Sequence, residues 1–188
     1  MRIIAGSRRG RVLAAPAGPA TRPTADRVRQ ALFDMLLHAP WGGHALLADA
    51  HVLDAFAGTG ALGLEALSRG AAHATFFETD RMALAALRAN IRTCRWEQEC
   101  TVLARDVTRP PQAPRPASLL FLDPPYHKNL VPQTMTALQA AGWVAPGALA
   151  VVETARDEAH PYDPAEGAHP TLLAERQHGA ARLSIWQL

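Results

Sequence analysis

The sequence predicts an α/β fold built on a mostly parallel sheet. From residue 51 onward, short strand-like runs alternate with amphipathic helical runs, a glycine-rich turn joins the first such strand to the first helix, and acids close successive strands. Alternation of this kind belongs to strands laid side by side in parallel, with helices covering both faces.

In order, HVLDA (51–55) reads as a strand and ALGLEALSRG (61–70) as a helix. ATFFE (74–78), the helical DRMALAALRANIR (80–92) and CTVLA (100–104) continue the alternation. A proline-rich loop, TRPPQAPRP (108–116), leads to the apolar strand SLLFL (118–122), which stops at Asp123-Pro124-Pro125-Tyr126. A helix over 130–141, a strand GALAVVE (147–153) and two last strand-like runs, TLLAER (171–176) and ARLSIWQL (181–188), complete the chain. Gly179 between those runs predicts an antiparallel hairpin at the sheet edge.

The first fifty residues differ in character. RIIAGSRRGRVL predicts a small hairpin with strands at 2–4 and 9–13 around Gly6, Ser7 and Gly10. AAPAGPATRP (14–23) reads as a linker. Thr24 then stands where it can cap a helix carrying Asp26 in its first turn and an apolar stripe of Val28, Ala31, Leu32, Met35 and Leu36. Arg27 and Arg29 fall off that stripe. The expected organisation is one domain over 1–188, with a basic arm and linker (1–20) and a core (21–188).

Among 188 residues, 48% are hydrophobic and 19% charged, the composition of a folded globular protein. No run reaches membrane-span length, and MRIIAGSRRGRVL has no apolar segment of signal-peptide length, so the expectation is a cytoplasmic protein. Cys94 and Cys100 lie at no metal-ligand spacing, and no metal is expected. The net charge of +2 hides an asymmetry: residues 1–30 hold seven arginines against Asp26 alone, a local +6 that leaves −4 for the rest. A basic arm suits phosphate contacts, which give sequence-independent affinity through counterion release. Arg2, Arg8, Arg9 and Arg11 are its candidate RNA-binding residues; a plain solvated basic surface is the competing reading.

Asp54-Ala55-Phe56-Ala57-Gly58-Thr59-Gly60-Ala61-Leu62-Gly63 contains G-x-G-x-x-G between a strand and a helix. Such a turn says only that backbone approaches a ligand closely. Asp54, four residues before Gly58, suits a cationic amino-acid ligand better than a pyrophosphate, whereas Glu78, twenty residues beyond Gly58, suits ribose hydroxyls of either an NAD or an S-adenosylmethionine cofactor. Asp106 in LARDV is a candidate acceptor for an adenine amino group, with a solvated loop acid as its alternative.

The Asp123-Pro124-Pro125-Tyr126 turn is the most specific signal. Two prolines fix the backbone and remove two donors, leaving a rigid array of acceptors. An exocyclic base amine is a poor nucleophile because its lone pair is delocalised. Accepting its N–H bonds with the Asp123 carboxylate and the Pro124 carbonyl favours a more tetrahedral nitrogen aimed at a methyl donor. Tyr126 offers a ring for stacking an extruded base. Lys128 is a candidate phosphate contact, with an ordinary exposed lysine as the alternative.

DAFAGTGALGLEALSRG, FFETDR, LLFLDPPY, RIIAGSRRGR and RPTADRVRQALFDML together resemble the bacterial 16S ribosomal RNA guanine-N2 methyltransferases of the RsmD type. The resemblance implies a Rossmann-like class I methyltransferase with a seven-stranded, mostly parallel sheet whose last strand is antiparallel, and S-adenosylmethionine as donor. It implies that Asp54, Phe56, Ala57, Gly58 and Gly60 line the methionine half, Glu78 the ribose, and Asp106 with Val107 the adenine. Thr24 and Arg27 would close over the methionine carboxylate, and Asp123, Pro124 and Tyr126 would hold the guanine. The partner implied is 16S ribosomal RNA or the 30S particle, met by a monomer during small-subunit assembly. Competing readings are a DNA amino-methyltransferase, disfavoured by the absence of a large target-recognition region, an NAD-dependent oxidoreductase, which leaves Asp54 and the Asp-Pro-Pro-Tyr turn unexplained, and a noncatalytic RNA-binding module.

Overall fold

Runs of apolar, β-branched and aromatic residues become strands wherever they are bounded by glycine, proline or an acid. In the computed structural model, which describes residues 1–15, 26–162 and 170–188, these are β1 (His51–Asp54), β2 (His73–Phe77), β3 (Cys100–Leu103), β4 (Ala117–Leu122), β5 (Val144–Ala155), β6 (Thr171–His178) and β7 (Ala181–Gln187). They form one sheet in the order β3-β2-β1-β4-β5-β7-β6. β1 to β5 pair in parallel, and β7 runs antiparallel to both of its neighbours. Chain order reverses between β1 and β4, and a crevice for ligand opens at such a switch point, outside the carboxyl ends of the strands. The β6–β7 hairpin lies at the edge as expected. Gly179, at φ +61°, opens its two-residue turn, a conformation that glycine adopts without steric cost.

Period-two alternation splits the apolar residues between the two faces. Val52, Phe76, Leu119, Phe121, Val151 and Ile185 share one core with α1 (Asp26–His38), α3 (Ala61–Ser68) and α4 (Arg81–Cys94). Leu53, Phe77, Leu120, Leu122, Val152 and Trp186 share the other with α5 (Leu130–Ala140). Asp80 caps α4 by accepting from the Ala83 N–H at 2.8 Å, and Gly63 lets α3 lie on β2, since a Cβ there would stand 2.4 Å from the Phe76 ring.

Several expectations need correction, most of them in the first half of the chain. The arm's two strands reduce to a single Arg2–Val12 bridge, because residues 5–10 are consumed by turn and bend. The buried stripe of α1 is Arg29, Leu32, Phe33 and Leu36, a rotation from the expected one, and it includes an arginine placed off the apolar face. Arg29 is fully buried because acids and carbonyls await it: it donates to the Arg2 carbonyl and to Asp26 at 3.0 Å, and its Nε lies 3.8 Å from Glu65. Glu65, also fully buried, accepts from the Ile4 and Ala5 N–H groups at 2.8 and 3.0 Å and from Arg69 at 2.7 Å. The arm is therefore packed on the body, with Ile3 and Leu13 in the core. A short helix, α2 (His44–Leu47), was not expected at all, and β5 begins three residues before and ends two beyond 147–153. Thr24 and most of the linker lie outside the described residues.

Candidate active site

The carboxyl edge of the sheet collects acids from four neighbouring strands. Asp54 ends β1 and Glu78 follows β2. Asp123 follows β4, and the Leu122–Val152 pairing puts it beside Glu153 of β5. Asp54, Asp123 and Glu153 keep the parity of Val52, Phe121 and Val151, so all three lie on the α3 side of the sheet.

At the glycine turn each acid already has backbone work. Asp54 is 2% exposed, and its Oδ2 accepts from the Gly63 N–H at 3.1 Å. It thus supplies the first turn of α3 with the acceptor that the capping residue, Gly60, cannot provide. Burial pushes the Asp54 carboxyl up to about 7, the Gly63 bond pulls the other way, and Glu78 adds to the rise. Glu78 accepts from Gly58 N–H at 2.8 Å and from Thr79 and Asp80 N–H at 2.7 Å each. A carboxylate has about four acceptor positions, so one remains for a ribose hydroxyl. Gly58, at φ +53°, has open space where a Cβ would be, so backbone can meet a ligand there.

These residues fit S-adenosylmethionine. A buried carboxylate whose only hydrogen bond among the described residues is to Gly63 suits a cation in the crevice, and Glu78 keeps its spare acceptor for a nucleoside. Ala57 is buried and Phe56 half-buried beside them, and Val107 is buried in the second core. Asp106 lies beyond its expected place at the end of the strand, since β3 stops at Leu103. It is exposed, and its Oδ1 accepts from the Thr108 N–H at 2.9 Å and hydroxyl at 2.8 Å. Those bonds hold its carboxyl below the usual carboxylate range and leave Oδ2 for an adenine amino group.

The Asp-Pro-Pro-Tyr turn is built differently. Pro124 is buried and Pro125 exposed, and among the described residues Asp123 takes no hydrogen bond. Burial pushes its carboxyl up to about 7, with Glu153 and then Asp54 contributing like-charge repulsion. The half-buried Tyr126 donates its hydroxyl to Glu153 Oε1 at 2.5 Å. His127 and Asn129 follow at φ +59° and +49°, left-handed positions uncommon for residues with a Cβ, and Glu158 steadies the first by accepting its N–H at 2.8 Å. Glu153 was not among the expected site residues. Its signal was an acid closing the strand GALAVVE at the same sheet edge as Asp54 and Asp123.

The arm arginines divide. Arg2, Arg9 and Arg11 are exposed, whereas Arg8 donates its Nε to the Cys94 carbonyl at 2.9 Å and lies 5.7 Å over the Trp96 ring. The exposed Arg27 lines a groove of about 500 Å³ with Arg2, Arg9, Asp26, Gln30 and Asp34, and that lining holds no glycine-turn residue. Lys128 is exposed beside the Asp-Pro-Pro-Tyr turn.

Comparison with known proteins gives the family and the fold. Residues 1–187 match the family model described as Conserved hypothetical protein 95. The chain is 42% identical over its full length to ribosomal RNA small subunit methyltransferase D of Escherichia coli K12, covering 89% of that protein. It is 37% identical to the Haemophilus influenzae protein of the same name, covering 93% of it. The solved structure of yhhF from Escherichia coli superposes with a TM-score of 0.81 at 38% identity, over 100% of this chain and 97% of that one. TrmN from Thermus thermophilus shares the fold at a TM-score of 0.62 and 20% identity, over 85% of this chain and 48% of that one. This Rossmann-like α/β chain therefore belongs to the Conserved hypothetical protein 95 family, that of ribosomal RNA small subunit methyltransferase D.

Proposed function

We propose that this chain methylates the N2 amine of a guanine in 16S ribosomal RNA, using S-adenosylmethionine, in one cytoplasmic, monomeric domain spanning 1–188. The observation that carries the reading is the placement of the Asp-Pro-Pro-Tyr turn at the β1–β4 switch point, on the same sheet edge and face as Asp54. Bound there, S-adenosylmethionine supplies a methyl group on a positively charged sulfur. Asp54, Phe56, Ala57, Gly58 and Gly60 hold its methionine half, Glu78 its ribose, and Asp106 with Val107 its adenine. Thr24 and Arg27, from the segment before β1, are assigned to closing the site by the family resemblance alone, since Arg27 here lines a groove with Asp26 and Gln30 and not the glycine turn.

The chain's own part in the chemistry is to present the amine. Asp123 and the Pro124 carbonyl accept the two N–H bonds of guanine N2, and Tyr126 stacks on the ring. A carboxyl raised toward neutrality is matched to receive the proton that the methylated nitrogen releases. Arg2, Arg9 and Arg11, with Lys128, contact phosphates flanking the extruded base, and Arg8 adds charge from its anchored position. The names of the relatives support ribosomal RNA as substrate. No helix among the described residues is long and apolar enough to cross a membrane.

The test is transfer of radiolabelled methyl from S-adenosylmethionine to 16S RNA, naked and in 30S particles, followed by mass-spectrometric mapping of the product. Label at a single guanine N2 is expected. Micromolar NAD affinity with no S-adenosylmethionine binding would sink the assignment.

A further inference from the structure

We propose that Glu153 is a positioning residue for methyl transfer: from β5 it anchors the Tyr126 hydroxyl and stands beside Asp123 across the β4–β5 seam. The inference rests on the reading of Asp123 and Tyr126 as the residues that hold the target base.

Three observations carry it. The Tyr126 hydroxyl donates to Glu153 Oε1 at 2.5 Å, so the tip of the turn is tied to the neighbouring strand. The pairing of Leu122 with Val152 fixes Asp123 and Glu153 at the same level, and parity puts both on one face. The turn also runs straight into the left-handed His127 and Asn129, a backbone that persists only where its surroundings hold it. A stacking ring on such a turn needs an anchor, because a small misplacement of a bound reactant costs much of the rate.

Glu153 also adds negative charge next to Asp123. The other charged group facing Asp123 is Asp54 from β1, and among the described residues no cation pairs with any of the three. Glu153 thus does two separable things. Glutamine in its place keeps an acceptor for Tyr126 and removes the charge; alanine removes both.

The test compares the wild-type chain with Glu153→Ala, Glu153→Gln, Tyr126→Phe and the Tyr126→Phe/Glu153→Ala double variant. Methyl transfer to 16S RNA would be followed as a function of pH, S-adenosylmethionine affinity by calorimetry, and Asp123 titration by carboxyl NMR. Glu153→Ala and Tyr126→Phe should each lower kcat about tenfold, with cofactor affinity within about twofold of wild type. The double variant should be no worse than the poorer single one, since both break the same bond. Glu153→Gln should recover most of kcat at alkaline pH, and both its acid limb and the Asp123 titration should move to lower pH. Unchanged kcat and Asp123 titration in Glu153→Gln and Tyr126→Phe would overturn the inference, even if alanine at 153 impaired folding. So would fully additive losses in the double variant. An active wild type with an indifferent Glu153 overturns this inference alone, whereas a wild type that methylates no RNA overturns the functional reading as well.

Discussion

The glycine turn and the Asp-Pro-Pro-Tyr turn sit on the same sheet edge but are held in opposite ways. Around Gly58 the acids are engaged by backbone: Glu78 takes three N–H groups and Asp54 takes one. Around Pro124 the prolines offer no N–H, Asp123 accepts from nothing among the described residues, and side chains from β5 and the loop behind it supply the ties. The lesson concerns where free energy is stored. The cofactor side is organised before any ligand arrives, while the base side keeps a like-charged acceptor with no protein donor among the described residues, open to an incoming amine.

The strongest way to break this contrast is at Asp123. Asp123→Asn should lower kcat about a hundredfold, on the order of 3 kcal/mol, with S-adenosylmethionine affinity nearly unchanged. The same substitution should stabilise the fold. A carboxyl raised from 3.8 to about 7 in the folded state contributes stability below its unfolded value and loses it as pH rises through the folded one. The variant should therefore be more stable than wild type at pH 8, with the difference closing toward pH 4, as thermal melts across that range would show. Equal melting at pH 8 would mean that the base side carries no such strain.

Glu78→Ala probes the other side, and the expected effect is smaller and of a different kind. Three turn donors lose their acceptor, so S-adenosylmethionine affinity should fall about tenfold and the melting temperature should drop, both worth about 1–2 kcal/mol. Cofactor titration calorimetry and melting curves read the two losses together. Affinity lost without stability would show that Glu78 serves the ligand alone.

The smallest effects are expected in the arm. Replacing the exposed Arg9 and Arg11 by alanine should leave the melting temperature alone and flatten the salt dependence of RNA binding by about 0.7 to 0.9 in log–log slope per lost contact. Arg8→Ala should do this and also destabilise by about 1 kcal/mol, because it loses the Cys94 carbonyl and the Trp96 ring. Salt titrations beside melting curves separate the two classes.

The sheet was legible because its strands are short, apolar and punctuated by glycine, proline and acids, and because the turns at Gly58 and Pro124 carry backbone requirements that few residues meet. What escaped was charge placed by tertiary contact. Arg29 falls off the apolar stripe of its helix and Glu65 carries no signal of its own, since nothing in their local spacing announces that each will neutralise the other's neighbourhood inside the protein. Glu153 escaped for the same reason: its partner, Tyr126, is 27 residues away and meets it only through strand pairing. The arm was expected as a tethered appendage, yet Gly6 lies so close to α3 that a Cβ would overlap the Ser68 carbonyl. A four-residue helix such as α2 is too short for periodicity to reveal.

The outermost strands bear on how the molecule behaves in a crowded solution. An open sheet ends in two rows of unpaired backbone groups, which invite another chain to add itself. Among the described residues the sheet ends at β3, only four residues long, and at β6, whose pairing slips between Leu172 and Ala174 and whose far half carries Glu175, Arg176 and His178. A short border and a bent, charged one are poor templates, so at high concentration this protein should resist the edge-to-edge growth that turns twisted sheets into fibrils.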